Sequence, residues 1–137
     1  MVELVATTVA EFLGKWNPPV DALVAVPPTN AARKFQPVLE IAKAIGEIGG
    51  IMVCDACITK VKQTRQLKNV FDYGERMSVL ADAFAVDKQR TSGKRLLIFD
   101  DLYRSGATLN AIAEILLAQG EARVVYALTL TRTRSKL

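Results

Sequence analysis

Apolar and polar positions alternate along the chain in blocks that predict helices and strands in turn. Helices are predicted over residues 2–16, 36–49 and 107–120, and the last two have apolar residues at helical spacing. Apolar runs bounded by turn signals predict strands over residues 22–26, 51–58, 95–99 and 123–130. The polar stretch at 59–78 has no clear period, so the pattern predicts no element there. Strands that alternate with helices and are apolar on both faces predict an α/β fold. Its mostly parallel central sheet is expected to carry helices on both faces.

The composition is that of one globular domain spanning residues 1–137. Half of the 137 residues are hydrophobic and 23% are charged, which is an ordinary balance for a folded protein. Apolar runs stay shorter than the ~18 residues of a membrane span. The first residues include Glu3 and Glu11 and lack the basic start of a signal peptide. We therefore expect a cytoplasmic protein without a membrane partner.

The charged residues narrow the chemistry only slightly. The formal net charge of +4 favours anionic partners, among them phosphorylated metabolites and nucleic acid, without selecting one. The chain contains no histidine, which excludes imidazole acid–base catalysis and histidine metal ligands.

The two cysteines, Cys54 and Cys57, have the spacing C-x-x-C. One such pair is half of a zinc site, and the chain offers no second pair or histidine to complete it. Within a strand over 51–58, side chains three positions apart point to opposite faces. This favours structural cysteines, and a redox pair is left open as the alternative.

The segments that follow the predicted strands are the candidates for a binding site. In parallel sheets of this kind, ligands bind at the carboxyl ends of the strands. Three segments occupy such positions, "PPTNAARKF" at 27–35, "TKVKQTRQ" at 59–66 and "DDLYRSGAT" at 100–108.

The third of these segments has the chemistry of a sugar-phosphate site. It leads from a strand into a helix, and the backbone N–H groups at a helix N-terminus attract phosphate. Gly106 allows a close approach to that backbone, while Ser105 and Thr108 add hydroxyl groups. Asp100 and Asp101 suit the hydroxyls of a ribose, or a metal reached through water. The pattern favours a ribose 5-phosphate ligand. The alternative, that Ser105 or Thr108 simply caps the helix, is left open.

The stretch "LLIFDDLYRSGAT", residues 96–108, resembles the phosphoribosyl pyrophosphate (PRPP) signature of type I phosphoribosyltransferases. The one evident departure is Arg104, where the family has a small or acidic residue. The resemblance implies a Rossmann-like phosphoribosyltransferase fold and the use of Mg²⁺ as cofactor. It also implies transfer of a phosphoribosyl group from PRPP to a nitrogen acceptor, with pyrophosphate as the leaving group.

The resemblance also implies roles for individual residues. Asp100 and Asp101 would hold the ribose hydroxyls. No residue would bind Mg²⁺ directly. The ion would be held by PRPP and through water, with Asp100 and Asp101 as the candidate residues. The 5-phosphate loop would comprise Arg104, Ser105, Gly106, Ala107 and Thr108. The pyrophosphate loop would include Pro28, Thr29, Asn30 and Arg33. The catalytic loop would occupy 59–76, with the candidates Lys60, Lys62 and Arg65, although a solvated charged surface explains these cations equally well.

Further segments are similar to the ComF-type branch of the family, which is linked to bacterial competence. They are "RKFQ" at 33–36, "KQTRQL" at 62–67, "ERMSVLADAF" at 75–84 and "YALTLTRT" at 126–133. Val79 stands where that branch has Asn, and its N-terminal Cys-rich zinc element is absent.

The expected partners are PRPP and a small nitrogenous acceptor. A homodimer is left open, and nucleic acid is disfavoured but left open. Two other functions also stay open: a non-catalytic PRPP or nucleotide sensor, and a ComF-like accessory protein linked to DNA uptake. A phosphoacceptor receiver domain is disfavoured, because such a domain carries its acid pair on the first strand, whereas the acid pair of this chain is on the third.

Overall fold

The computed structural model describes residues 1–28, 36–61, 73–103 and 106–132. Its helices are α1 (Val2–Trp16), α2 (Pro37–Gly49), α3 (Tyr73–Ala83), α4 (Lys88–Thr91) and α5 (Ala107–Ala118). Its strands are β1 (Ala22–Ala25), β2 (Met52–Val53), β3 (Ile58–Lys60), β4 (Phe84–Val86), β5 (Arg95–Tyr103) and β6 (Val124–Arg132). No helix within these ranges has the length and apolar character needed to cross a membrane.

The main sheet has four strands in the order β2-β1-β5-β6, and each neighbouring pair is parallel. A separate antiparallel pair is formed by β3 and β4. The prediction of a mostly parallel central sheet is therefore confirmed. Residues 22–25 of β1 lie opposite residues 96–99 of β5, so the centre of the sheet joins two apolar runs that are far apart in sequence.

Helices cover both faces of this sheet, as predicted. Along β5, successive side chains point to opposite faces. Leu96 and Ile98 belong to a buried cluster that contains the apolar residues of α5. Leu97 and Phe99 belong to a second cluster, formed with α1 and α2. All four side chains have no exposed surface, so the core of the domain lies on both sides of β5.

An ion pair joins the amino ends of the two central strands. The guanidinium of Arg95 donates from Nε to Asp21 Oδ2 at 3.0 Å and from Nη2 to Asp21 Oδ1 at 2.9 Å. The backbone N–H of Arg95 donates to Asp21 Oδ2 as well, at 2.8 Å. These hydrogen bonds to Arg95 hold the pKa of Asp21 well below its usual range.

The prediction of one strand over 51–58 is wrong. The chain forms β2 over Met52–Val53, turns, and then forms β3 over Ile58–Lys60 in the other sheet. The turn brings Cys54 and Cys57 together, and they form a disulfide with their Cα atoms 5.6 Å apart. The two side chains therefore do not point to opposite faces of one strand. An apolar run alone does not encode this reversal.

The polar stretch at 59–78 also differs from the expectation that it forms one loop. Its first residues complete β3, and α3 begins at Tyr73. Residues 62–72 lie outside the described residues. The short elements β4 and α4 were not predicted, because neither is long enough to show a period.

Candidate functional site

The carboxyl ends of β1 and β5 form the edge at which the candidate site lies. These strands are parallel neighbours, so the segments that leave them begin at the same edge of the sheet. The N–H of Val26, just after β1, donates to the carbonyl of Phe99 at 2.9 Å. Pro28 follows and is exposed, and the remaining residues predicted for the pyrophosphate loop, Thr29, Asn30 and Arg33, lie outside the described residues.

Asp100 and Asp101 lie inside β5, which continues to Tyr103, and not after the strand as the sequence predicted. Asp100 pairs with Thr129 of β6. Its Oδ1 accepts a hydrogen bond from the N–H of Asp101 at 2.8 Å. Asp100 is half-buried and Asp101 is exposed, so the two carboxylates have different surroundings.

The partial burial of Asp100 changes its acidity. Removal from water disfavours the charged carboxylate and is the main reason that the pKa of Asp100 rises to about 6. The negative charge of Asp101 acts in the same direction, whereas the hydrogen bond from the Asp101 N–H opposes it. Asp100 thus changes charge close to neutral pH, which is unusual for an aspartate.

The two carboxylates also lie on different faces of the sheet. By the alternation along β5, Asp100 follows Leu96 and Ile98 and shares the face covered by α5. Asp101 follows Leu97 and Phe99 and shares the face covered by α1 and α2. Asp100 is therefore the acid that lies on the same face as the helix following the strand.

That helix, α5, begins with the geometry of a close-approach loop. Its N-cap residue is Gly106, whose φ of 78° lies in the left-handed region that favours glycine. Gly106 and Ala107 are both buried, and Thr108 is half-buried. The first helical hydrogen bond runs from the N–H of Asn110 to the carbonyl of Gly106 at 2.8 Å. The helix N-terminus thus starts directly at the edge where β5 ends.

The interpretation that Thr108 caps this helix is wrong, and the same interpretation for Ser105 stays a prediction. The N-cap residue is Gly106, which has no side chain to form a capping hydrogen bond, and Thr108 is the second residue inside the helix. Glycine suits this position because it adopts a positive φ readily, and it has no side-chain oxygen with which to cap the helix. Arg104 and Ser105 themselves lie outside the described residues.

The cations predicted for the catalytic loop are only partly placed. Lys60 is the last residue of β3 and pairs with Phe84 of β4, so it lies on a strand and not in a loop. Lys62 and Arg65 lie outside the described residues. The structure thus describes only Lys60 of these three cations, and the prediction for the other two stays untested.

One contributor to the site was not predicted from the sequence. The hydroxyl of Thr131 on β6 donates to the carbonyl of Asp101 at 3.1 Å and so supports the backbone of the acid pair. Thr129 and Thr131, two positions apart near the end of an apolar strand, are the sequence signal that points to this polar edge.

The described residues contain no group of three or more aspartate, glutamate, cysteine or histidine side chains that could hold a metal by themselves. A carboxylate at this edge nevertheless suits Mg²⁺ held through water. This ion keeps several waters and is commonly held by one or two carboxylates together with substrate phosphates.

No protein-family model matches the sequence, and its comparison with curated proteins finds no match. Among solved structures, adenine phosphoribosyltransferase from Saccharomyces cerevisiae superposes with a TM-score of 0.59 at 14% identity, over 95% of this chain and 66% of that one. Hypoxanthine phosphoribosyltransferase from Staphylococcus aureus gives 0.59 at 10% identity, over 99% and 67%. UMP synthase from Leishmania donovani gives 0.51 at 20% identity, over 96% and 22%.

The chain thus spans about two thirds of the length of the first two proteins. At these identities the similarity establishes architecture, and it agrees with the parallel sheet and flanking helices described above. The chain has the fold of the type I phosphoribosyltransferases.

Proposed function

We propose that this chain binds PRPP with Mg²⁺ and transfers its phosphoribosyl group to a nitrogen atom of a small acceptor, releasing pyrophosphate. One observation carries the proposal. The strand that bears Asp100 and Asp101 ends three positions before Gly106, a buried glycine with φ of 78° that opens α5. This arrangement offers hydrogen-bond acceptors for a ribose and a helix N-terminus for its 5-phosphate within one short segment.

The helix N-terminus supports phosphate binding at Gly106, Ala107 and Thr108. Backbone N–H groups of a first helical turn and the positive end of the helix dipole both favour an anion. Glycine at 106 adds no side chain beside these N–H groups, and its φ of 78° is a backbone conformation that glycine adopts readily. Arg104 and Ser105 complete the proposed 5-phosphate loop.

The acid pair supports the sugar side of the site. A carboxylate accepts hydrogen bonds from ribose hydroxyls, and hydrogen bonds to a charged group are stronger than those between neutral groups. Positive charge develops on the sugar ring as the bond to pyrophosphate breaks. A nearby carboxylate stabilises that charge without proton transfer, so the lack of histidine does not oppose this chemistry. Because its pKa is about 6, Asp100 is mostly ionised only above that pH and supplies its charge there.

Mg²⁺ would be held near Asp100 and Asp101 through water and by the phosphates of the substrate. When bound, it would offset the negative charge of the leaving pyrophosphate. We further propose that Pro28, Thr29, Asn30 and Arg33 contact the pyrophosphate, with Lys60, Lys62 and Arg65 as the candidate cations of the catalytic segment.

The acceptor class follows from what the structural neighbours are named for. They include transferases for adenine and hypoxanthine, which are nitrogenous bases. We propose a nitrogenous base here as well, in a cytoplasmic protein of the ComF-type branch. The segment "ERMSVLADAF" at 75–84 is the main support for that branch, and it forms most of α3 and the first residue of β4.

Calorimetric titration with PRPP and Mg²⁺ tests the binding step, with Gly106→Ala and Gly93→Ala as a matched pair. Both glycines have positive φ, 78° and 71°, and they flank β5 at opposite ends. Each alanine forces a left-handed backbone, which costs roughly 1–2 kcal/mol of stability. Only Gly106→Ala should weaken PRPP binding, by about tenfold or more.

Equal PRPP affinity in the two variants would contradict the proposed phosphate loop. A panel of purine and pyrimidine bases, with release of pyrophosphate as the readout, then tests transfer. Binding of PRPP without turnover of any base would refute the enzymatic proposal and favour the sensor function.

A further inference from the structure

The disulfide between Cys54 and Cys57 lies where the chain passes from the main sheet to the two-stranded sheet. Cys54 directly follows β2, and Cys57 directly precedes β3. Two residues, the exposed Asp55 and the half-buried Ala56, form the turn between them. Nothing in the proposed transfer reaction uses this bridge.

The two sulfur-bearing residues differ in exposure. Cys57 has no exposed surface and lies in the core cluster that contains Val24, Phe84 and Ile98. Cys54 packs against the edge of that cluster and keeps part of its surface in contact with solvent. A reagent that approaches the bridge therefore meets Cys54 first.

The bridge stabilises the fold less than a disulfide that closes a long loop would. A disulfide restricts the unfolded chain in proportion to the logarithm of the loop that it closes, and here the cysteines are three positions apart. The backbone at both ends is already held by other bonds. The N–H of Cys54 donates to the carbonyl of Leu23, and the N–H of Asp87 donates to the carbonyl of Cys57, each at 2.9 Å.

Those backbone bonds do not depend on the disulfide, so they should persist when it opens. The Cα atoms, 5.6 Å apart in the bridged form, would then stay close, and the two thiols could pair again. From this geometry and the unequal exposure we propose that Cys54 and Cys57 form a reversible redox centre that exchanges with dithiols. Its substrate class is a small dithiol or the dithiol of a second protein.

The exchange balances as a transfer of two electrons and two protons. A thiolate of the dithiol attacks Sγ of Cys54, which forms a mixed disulfide and releases Cys57 as a thiolate that takes up a proton. The second thiol of the reductant, as its thiolate, then attacks the reductant's other sulfur, which is bonded to Cys54 in the mixed disulfide. Cys54 leaves as a thiolate and takes up a proton, and the reductant becomes a disulfide.

The first test measures reversibility in the folded wild-type chain. The protein is reduced with dithiothreitol without denaturant, and its free thiols are alkylated with iodoacetamide. Mass spectrometry then gives the number of alkylated thiols. The proposal expects two trapped thiols, and it expects their loss when oxidised glutathione is added before trapping. A bridge that opens only in denaturant, or thiols that do not pair again, would overturn the proposal.

The second test measures the direction of attack. Cys57→Ala leaves only the thiol of Cys54, and Cys54→Ala leaves only the thiol of Cys57. In the folded variants, the Cys54 thiol should react with iodoacetamide about tenfold faster or more, because the Cys57 thiol is buried. Equal rates would overturn the assignment of Cys54 as the attacked sulfur.

Circular dichroism establishes that each variant is folded. Should Cys57→Ala fail to fold, the same asymmetry is measured in reduced wild-type protein. Brief labelling followed by peptide mapping should then place the first label on Cys54, and an even distribution would contradict the proposal. Neither test involves PRPP, so the outcome is independent of the proposed transferase function.

Discussion

Replacing Asp100 by Asn should remove a specific part of the pH dependence of folding stability. Partial burial raises the pKa of Asp100 to about 6 from an ordinary value of 3.8. Between these values the folded protein holds a proton on Asp100 that the unfolded chain has already released. The folded state binds more protons in this window, so the free energy of unfolding falls as the pH rises through it.

The size of the effect follows from the pKa difference. A difference of one in pKa corresponds to about 1.4 kcal/mol, so a difference near two sets an upper limit of about 3 kcal/mol. Asp100 is only half-buried, and solvent screening reduces the expected loss to about 1–2 kcal/mol. Above about pH 7, where Asp100 is ionised in both the folded and the unfolded state, this contribution should no longer change with pH.

Urea denaturation of the wild type and of Asp100→Asn at pH 4, 5, 6 and 7 measures the difference. The wild type should lose about 1–2 kcal/mol relative to the variant between the ends of this series. Asp101→Asn is the matched control. It should keep most of the slope, because burial and not the charge of Asp101 is the main cause of the raised pKa. Parallel stability curves for the wild type and Asp100→Asn would refute the reasoning.

Two further predictions concern the scaffold. Asp21→Asn should lower the melting temperature at pH 7, because the hydrogen bonds from Arg95 stabilise the charged carboxylate of Asp21. Those bonds lower the pKa of Asp21 in the folded state. The difference in melting temperature between the variant and the wild type should therefore become smaller below about pH 4. A gap that persists in acid would contradict this. Gly46→Ala should cost about 1–3 kcal/mol by urea denaturation, because the new methyl group would overlap the Cγ2 of Val53. At Gly14 a new methyl group would meet no atom within 4 Å, so Gly14→Ala should instead raise the free energy of unfolding by about 0.5–1 kcal/mol. Equal changes in stability for the two variants would show that close packing at Gly46 does not limit the side chain there.

The structural features that could be predicted well are those encoded by residues close together in the sequence. The helical spacing at 38, 41, 42 and 45 lies within α2, and the apolar run that begins at Arg95 lies within β5. The prediction of one strand over 51–58 failed because the partner of Ile58 is Val86 of β4, which is distant in sequence. A pairing between distant segments leaves no periodic signal within either one.

The candidate site shows the same division. The residue types between Asp100 and Thr108 were enough to predict an edge with carboxylates and a glycine-led helix. They did not indicate that Asp100 is half-buried or that its pKa rises to about 6, because burial depends on the assembled sheet, in which Asp100 pairs with Thr129 of β6. The kinds of polar group at this edge could be predicted from the residues, whereas their electrostatic environment required the assembled core.

The pairing of β1 with β5 also has a consequence for biosynthesis. Asp21 and Arg95, which join the amino ends of these strands, are 74 positions apart. During translation, β1 must therefore wait for several tens of residues before its central partner leaves the ribosome. Until then the fully buried Leu23 and its apolar neighbours have no sheet to enter. Slow elongation between these segments should favour capture by chaperones, and the edge that carries the acid pair can form only after this delay.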